Sequence, residues 1–430
     1  MLEDYYGNSL TTNSNAARDG YIEAVDALLT ASDDPQQGLD QALEADPEFA
    51  LAHVAQGRHF MLLGDMRGAR KSIERAVELA SNTSAREQRH IEIFQLLSSG
   101  RSPDALALTR KHIVDHPLDA FALAPSTSVF GLIGFGGDAN REPVQLDLLK
   151  PLVDVYGDDW WFLTIYGFAL IETGQWLEGR ELLERALEQK PRSAHSAHVY
   201  VHSLYEAGED RLAADFLEAW LPDYPETMLL SCHAWWHLCV ARLMLGEYEA
   251  VWPVYDSHCA PGVSDGPAIN VFTDGASLLW RAELAGVARS PERWQALQEY
   301  REASLPHPMV FVDAHGGLPP LALGDDAAFN DWLEALQKAD EAGRLPAGAV
   351  PGELNRAFAA YEADDWGKVV SILEPIRDQV VRIGGSRAQR DLVQNTLLSA
   401  YVKQGRPEAA RELISLQTDR ARTVPVAGLV

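Results

Sequence analysis

Eight of the thirteen histidines lie between His195 and His315, and their spacing invites a chemical reading. His195, His198 and His202 fall at i, i+3 and i+7, which at about 100° per residue gathers them within roughly 60° on a helix. His233 and His237 stand at i, i+4, about 40° apart. Two such pairs on neighbouring helices are what a metal centre or an acid–base site requires, because neutral imidazole is both a metal ligand and a proton carrier near neutral pH. Asp274, Asp313 and His315 add carboxylates and one more imidazole. The candidate catalytic set is therefore His198, His202, His233, His237, Asp274, Asp313 and His315. All of these but Asp274 could also hold a divalent metal. Seven side chains exceed the four ligands of one tetrahedral zinc, so either two metals bind or most of the residues serve a substrate. The His233 helix lacks the glutamate of HExxH, which excludes a zincin-like protease.

Plainer readings compete. A solitary histidine on a helix is ordinarily solvated or hydrogen-bonded without a role, which is the reading for His195, His258 and His307. Asp274 could serve only as a helix N-cap, with Ala276 and Ser277 in the first turn. Cys232 neighbours His233 in sequence but diverges by about 100° around the helix, so it reads as a buried thiol rather than a nucleophile. Trp161 and Trp236 could supply an apolar wall to a ligand, although tryptophan more often packs.

What can bring such distant positions together is a repeat. Gly100, Gly174 and Gly208 precede Pro117, Pro191 and Pro225 by 17 residues each, and Gly174 to Gly208 and Pro191 to Pro225 are both 34. Glycine suits the turn between two helices and proline ends the second one. With Leu163, Tyr166, Gly167 and Leu170 before the turn, and Leu183 and Ala186 after it, this is the tetratricopeptide pattern. Other units fall around Gly64 and Gly405, and degenerate ones at Gly246, Gly286, Gly324 and Tyr361–Trp366. The fold class expected is all-α, a tetratricopeptide-type helical-repeat superhelix, or α-solenoid. An N-terminal arm with one helix (1–32), degenerate repeats (33–340), a linker loop (341–352), C-terminal repeats (353–418) and a tail (419–430) are the expected divisions. Gly/Pro-rich stretches at Gly131–Pro143, Cys259–Thr273, Pro306–Pro320 and Arg344–Gly352 read as loops, and no strand pattern supports a sheet.

Counted back from the turn glycines, His195 and His233 stand 13 before Gly208 and Gly246, and His237 and His315 stand 9 before Gly246 and Gly324. Asp274 is 12 before Gly286 and Asp313 is 11 before Gly324. These are first-helix positions, and first helices line the concave face of such arrays, so the side chains should converge on one groove. Gly384-Gly385-Ser386 should end one helix and cap the next. Gln389 and Arg390 then fall in its first turn as ligand-binding candidates, Arg390 toward a carboxylate.

Composition bounds the partners. Among 430 residues, 47% are hydrophobic and 23% charged, ordinary for a folded protein. The net charge of −27 repels phosphate backbones and anionic membranes, so neither nucleic acid nor membrane is an expected partner. Three cysteines without CxxC spacing suggest neither a disulfide framework nor a zinc ribbon. Together with a polar, acidic start where a signal peptide would be basic and apolar, this points to a cytoplasmic protein.

Several local motifs resemble the tetratricopeptide repeat protein 38 family. They are Leu10-Thr11-Thr12 with Ser14-Asn15; Arg86-Glu87-Gln88 with His90; His198 with His202; His233-x-x-Trp236-His237; Tyr255-Asp256 with His258; Asp274; Asp313-Ala-His315; and Gly384-Gly385-Ser386 followed by Ala388-Gln389-Arg390-Asp391. The resemblance implies a helical-repeat array and singles out residues rather than an activity. Near Ser128, where the family suggests a His-Asp pair, this chain reads Thr127-Ser128-Val129-Phe130. Binding of a small molecule or peptide end in a groove lined by His, Asp and Trp is the leading reading. A hydrolase or other enzyme using the same residues, with a divalent metal as cofactor, is the alternative, and a purely structural adaptor the third.

Overall fold

The computed structural model describes residues 2–415 and 424–429, so the expected repeat boundary at 418 and half of the tail lie outside the described residues. Helix follows helix along the chain. The departure from the all-α expectation is a two-stranded antiparallel ladder, Leu2–Glu3 on Ser9–Leu10.

The helices come in tetratricopeptide-type pairs, and the pair Trp160–Glu172 with Trp176–Gln189 shows why. Gly174 adopts φ 89°, and the N–H groups of Gly174 and Gln175 return to the carbonyls of Ile171 and Leu170 at 3.0 and 2.8 Å. A side chain is strained in that left-handed turn, hence glycine. At Gly167 a Cβ would stand 2.3 Å from a Leu183 methyl, so its hydrogen lets the two helices close. The glycines read as turns at 64, 100, 208, 246, 286, 324 and 405 are left-handed too. In the degenerate pair Val350–Glu362 with Trp366–Ile376, Asp364 takes the glycine's place at φ 57° and Asp365 caps the next helix.

Two compact units divide the chain, Met1–Gly134 with Glu142–Tyr200, and Phe135–Arg141 with Val201–Val430. In the first, Asn15–Thr30 pairs with Gln36–Ala45, Ala50–Leu62 with Met66–Leu79, and Ala85–Ser98 with Ser102–Asp115. Gly20 and Gly38 meet where the first two helices cross, each Cβ position lying 2.6 Å from the other's carbonyl oxygen. In the second unit, Ser231–Met244 packs on Asp210–Trp220 and on Ala268–Leu284, which in turn packs on Pro291–Ser304 and Arg387–Lys403.

Parts of the expected loops are helical. The helix Ala268–Leu284 begins inside Cys259–Thr273, and Pro306–Pro320 holds the helix Val310–His315 and the start of Leu318–Leu323. Pro319 and Pro320 fall in the first turn of that last helix, where no intrahelical donor is needed, so proline there starts a helix rather than breaking one. All three cysteines are buried and free. No helix among the described residues is long and apolar enough to cross a membrane.

Candidate functional site

The second unit assembles a polar cluster from its interior helices. His202 lies on Ala194–Ala207, and His233, Trp236 and His237 lie on Ser231–Met244. On Ala268–Leu284, Asn270, Asp274, Ser277 and Arg281 recur at i, i+4, i+7 and i+11, one face of a helix. Asp274 is thus the seventh residue of its helix, which corrects the N-cap reading, because the helix starts six residues earlier than the glycine-rich stretch suggests. Gly384 and Gly385 take φ 88° and 72°, and Ser386 then caps Arg387–Lys403 in a capping box with Gln389, as expected.

Asp274 organises the first contacts. His233 Nδ1 and Asp274 Oδ2 are 2.6 Å apart, Asn270 Nδ2 donates to the same oxygen at 3.1 Å, and Gln389 Nε2 donates to Oδ1 at 2.9 Å. A carboxylate held by two amides fixes the ring and tautomer of His233 and presents its Nε2 on the opposite side. The His233 ring lies flat against Trp236, centroids 5.2 Å apart. His237 stands edge-on to both His233 and His202, at 4.8 and 4.6 Å.

His202, His233 and His237 are all buried. Burial, and then the neighbouring His233, takes His202 down to about 3. Burial lowers His237 well below its ordinary value, with His202, His233 and Arg281 adding to the effect. Both rings are therefore neutral at neutral pH and carry a lone pair. One ring nitrogen from each of His202, His233 and His237 forms a group whose members all lie within 4.8 Å of one another. His198 is half-buried, one turn before His202 on the same helix.

Around this group stand buried polar atoms with no hydrogen-bond partner among the described residues. Arg281 is fully buried and donates through Nη2 to the Ala388 carbonyl, while its Nε and Nη1 meet none. Its guanidinium lies 5.7 Å from the Trp236 ring centre, and its charge also reaches His315. His315 Nδ1 lies 2.7 Å from the Phe311 carbonyl, which makes that nitrogen the donor and leaves Nε2 an acceptor without a partner. Burial, above all, takes His315 down to about 4. Such groups cost about 1–3 kcal/mol each where nothing meets them, so each of these calls for a polar partner.

Of the expected residues, then, His202, His233, His237, Asp274 and Gln389 come together, His198 stands one turn before His202 on their helix, and His315 lies within the electrostatic reach of Asp274 and Arg281. Asp313 is two residues from His315 but bonds His307 Nδ1 at 2.8 Å, which gives His307 a partner and raises its pKa. Arg390 donates to the Gly385 carbonyl and so braces the cap. Trp236 is in the cluster, whereas Trp161 packs in the core of the first unit against Tyr156. Asn270 and Arg281 are members that the sequence pattern alone did not single out. A signal for them exists all the same, since they stand four before and seven after Asp274.

No family model matches the chain. Among solved structures it is similar to the human IFIT1 dimer with m7Gppp-AAAA, at 14% identity over 95% of this chain and 90% of that one, with a TM-score of 0.42. It is also similar to the APC/C hetero-tetramer Cut9–Hcn1, at 13% identity over 89% and 84%, TM-score 0.35. A third is the P58(IPK) TPR domain, at 13% identity over 93% and 98%, TM-score 0.21. The repeat character of this chain rests on its own helix pairs and turn glycines.

Proposed function

We propose that this chain is a helical-repeat protein that binds a divalent metal of the zinc class through its clustered imidazoles. Beside the metal it takes a small molecule or peptide end bearing a carboxylate. The observation that carries this reading is the group of three ring nitrogens, from the buried His202, His233 and His237, within 4.8 Å, with the Asp274 carboxylate behind His233. Nitrogen-only donors suit zinc, copper or nickel rather than magnesium or calcium. Zinc–nitrogen bonds of about 2.0–2.1 Å put tetrahedral ligands roughly 3.4 Å apart, which small side-chain rotations within this group can reach. Arg281 adds two buried donors, Nε and Nη1, that can each meet an anionic oxygen singly. The motif resemblance to the tetratricopeptide repeat protein 38 family supports the same residues.

The test is zinc titration of chelator-treated protein by calorimetry, with elemental analysis. One zinc per chain is expected, and none in His233→Ala/His237→Ala. Failure of the unaltered protein to take up zinc, copper or nickel sinks the metal reading. A hydrolase is the second reading, favoured by the neutral His315, whose Nε2 is an acceptor within the same field of charges. A bound metal would bring a water to a pKa of about 7, and such an imidazole could take its proton.

A further inference from the structure

We infer a second ligand site, in the first unit and independent of the histidines: a cavity that takes a small organic cation with an aromatic or apolar body. The cavity measures about 360 Å³ and opens beside the N-terminal turn, the helix Asn15–Thr30 and the start of Trp160–Glu172. That volume is within the range of small-molecule sites. Tyr6, Tyr21, Phe121 and Trp160 give it aromatic walls. Tyr6 is braced edge-on by Tyr156 at 5.7 Å, and its hydroxyl lies 3.3 Å from Asp159, so the wall is held in place.

The charges lining this cavity are acidic apart from one. Asp4, Asp19, Glu23 and Asp26 face a single cation, Lys190. Lys190 is already engaged, with Nζ 2.9 Å from Asp26 and 5.4 Å from the Trp160 ring centre. The protein itself thus shows an ammonium held between a carboxylate and an aromatic face in this wall. Asp19 is paired with Arg18. Glu23 and Asp4 have no paired cation among the described residues. Among the described residues the Asp4 carboxylate accepts only from the backbone N–H groups of Tyr6 and Asn8 and from the Asn8 amide. Burial raises Asp4 above the ordinary carboxylate value despite those bonds. A ligand ammonium would supply the missing positive charge while its body lies on the rings, an arrangement that electrostatics and cation–π attraction both favour. An anion of the same shape would meet uncompensated carboxylates.

Calorimetry on the full chain can test this with tryptamine and benzyltrimethylammonium as cations and indole-3-propionate as the matched anion. Saturable binding of at least one cation at one per chain is expected, with Kd below about 1 mM and the anion at least about tenfold weaker. Glu23 is exposed and has no hydrogen bond or ion pair among the described residues, so Glu23→Lys should leave thermal melting unchanged and weaken the cation about tenfold or more. The metal-site double variant should bind the cations normally. No saturable binding by either cation, equal affinity for the anion, or unaltered binding in Glu23→Lys would each overturn the proposal.

Discussion

Each unit buries an aspartate against histidine, and the two use it in opposite ways. In the first unit Asp119 is a hub. Arg86 Nη1 lies 2.7 Å from it, His90 Nδ1 3.0 Å and His112 Nε2 2.9 Å, and Arg86 also holds the Ser9 carbonyl of the N-terminal ladder. The His90 ring lies flat on Phe94, with Phe121 5.8 Å away. Burial alone would push the Asp119 carboxyl up, but His90, His112 and Arg86 outweigh it and hold it well below the ordinary range. In the second unit Asp274 receives two amides and one imidazole and stands behind His233, while the imidazoles meet one another. A carboxylate at the centre locks helices together. A carboxylate at the back aims a ring at something else.

The largest effect should come from removing the hub. Asp119→Ala leaves a buried guanidinium without its counter-charge and should cost about 3–5 kcal/mol by denaturant unfolding, with zinc stoichiometry at the other cluster unchanged. A loss below about 1 kcal/mol would erase the distinction between lock and site. Acid should separate the two regions next. His202 at about 3 and His315 at about 4 have folded values below their unfolded value near 6.5. Between those limits the unfolded chain binds the protons and the folded one does not. Stability from these rings is therefore full above pH 6.5 and falls on acidification toward 4, by at most about 1.4 kcal/mol per pH unit for each ring. The Asp119 contribution, whose folded value is depressed, is present above about pH 3.8 and is lost only as pH falls further. As pH drops from 6.5 to 4, exchange protection should thus fail around the second unit's cluster before it fails at the Asp119 hub. Loss at the hub over the same range would contradict the assignment.

Asp274→Asn sharpens the comparison from the other side. It keeps most of the shape but weakens the acceptor that orients His233, so zinc affinity should fall about 10–100-fold in titration while melting of the metal-free protein shifts little. The smallest effect is expected from Ser386→Ala. It removes the side-chain cap of Arg387–Lys403 and half of the box that positions Gln389, for about 1 kcal/mol in thermal unfolding.

Much of this architecture is legible in the amino-acid order. The turn glycines reveal the pairs because a left-handed residue leaves a direct mark on the sequence, and the Ser386 cap is readable because Ser and Gln three apart are a local signature. The i, i+4 spacing of His233 and His237 puts both on one face, expected to line an open groove, whereas the structure buries both rings. Pro319 and Pro320 mislead, because composition marks helix starts as well as loops. Asp313 is expected in the cluster, yet its hydrogen bond goes to His307, a residue that reads as a bystander. Trp161 stands 13 before Gly174, as His233 stands 13 before Gly246, but packs among core aromatics.

The sequence by itself determined the all-helical repeat, the turns and the helix faces, because periodicity, left-handed glycines and caps act within a few residues. Which imidazoles meet, and in which charge state, was decided only by tertiary structure. Asp274 reaches His233 across 41 residues and Gln389 across 115, and the burial that keeps His202 and His237 neutral comes from helices the local pattern does not name. A histidine's chemistry is set by desolvation and by its hydrogen-bond partners, and both are properties of packed neighbours rather than of its own stretch of chain.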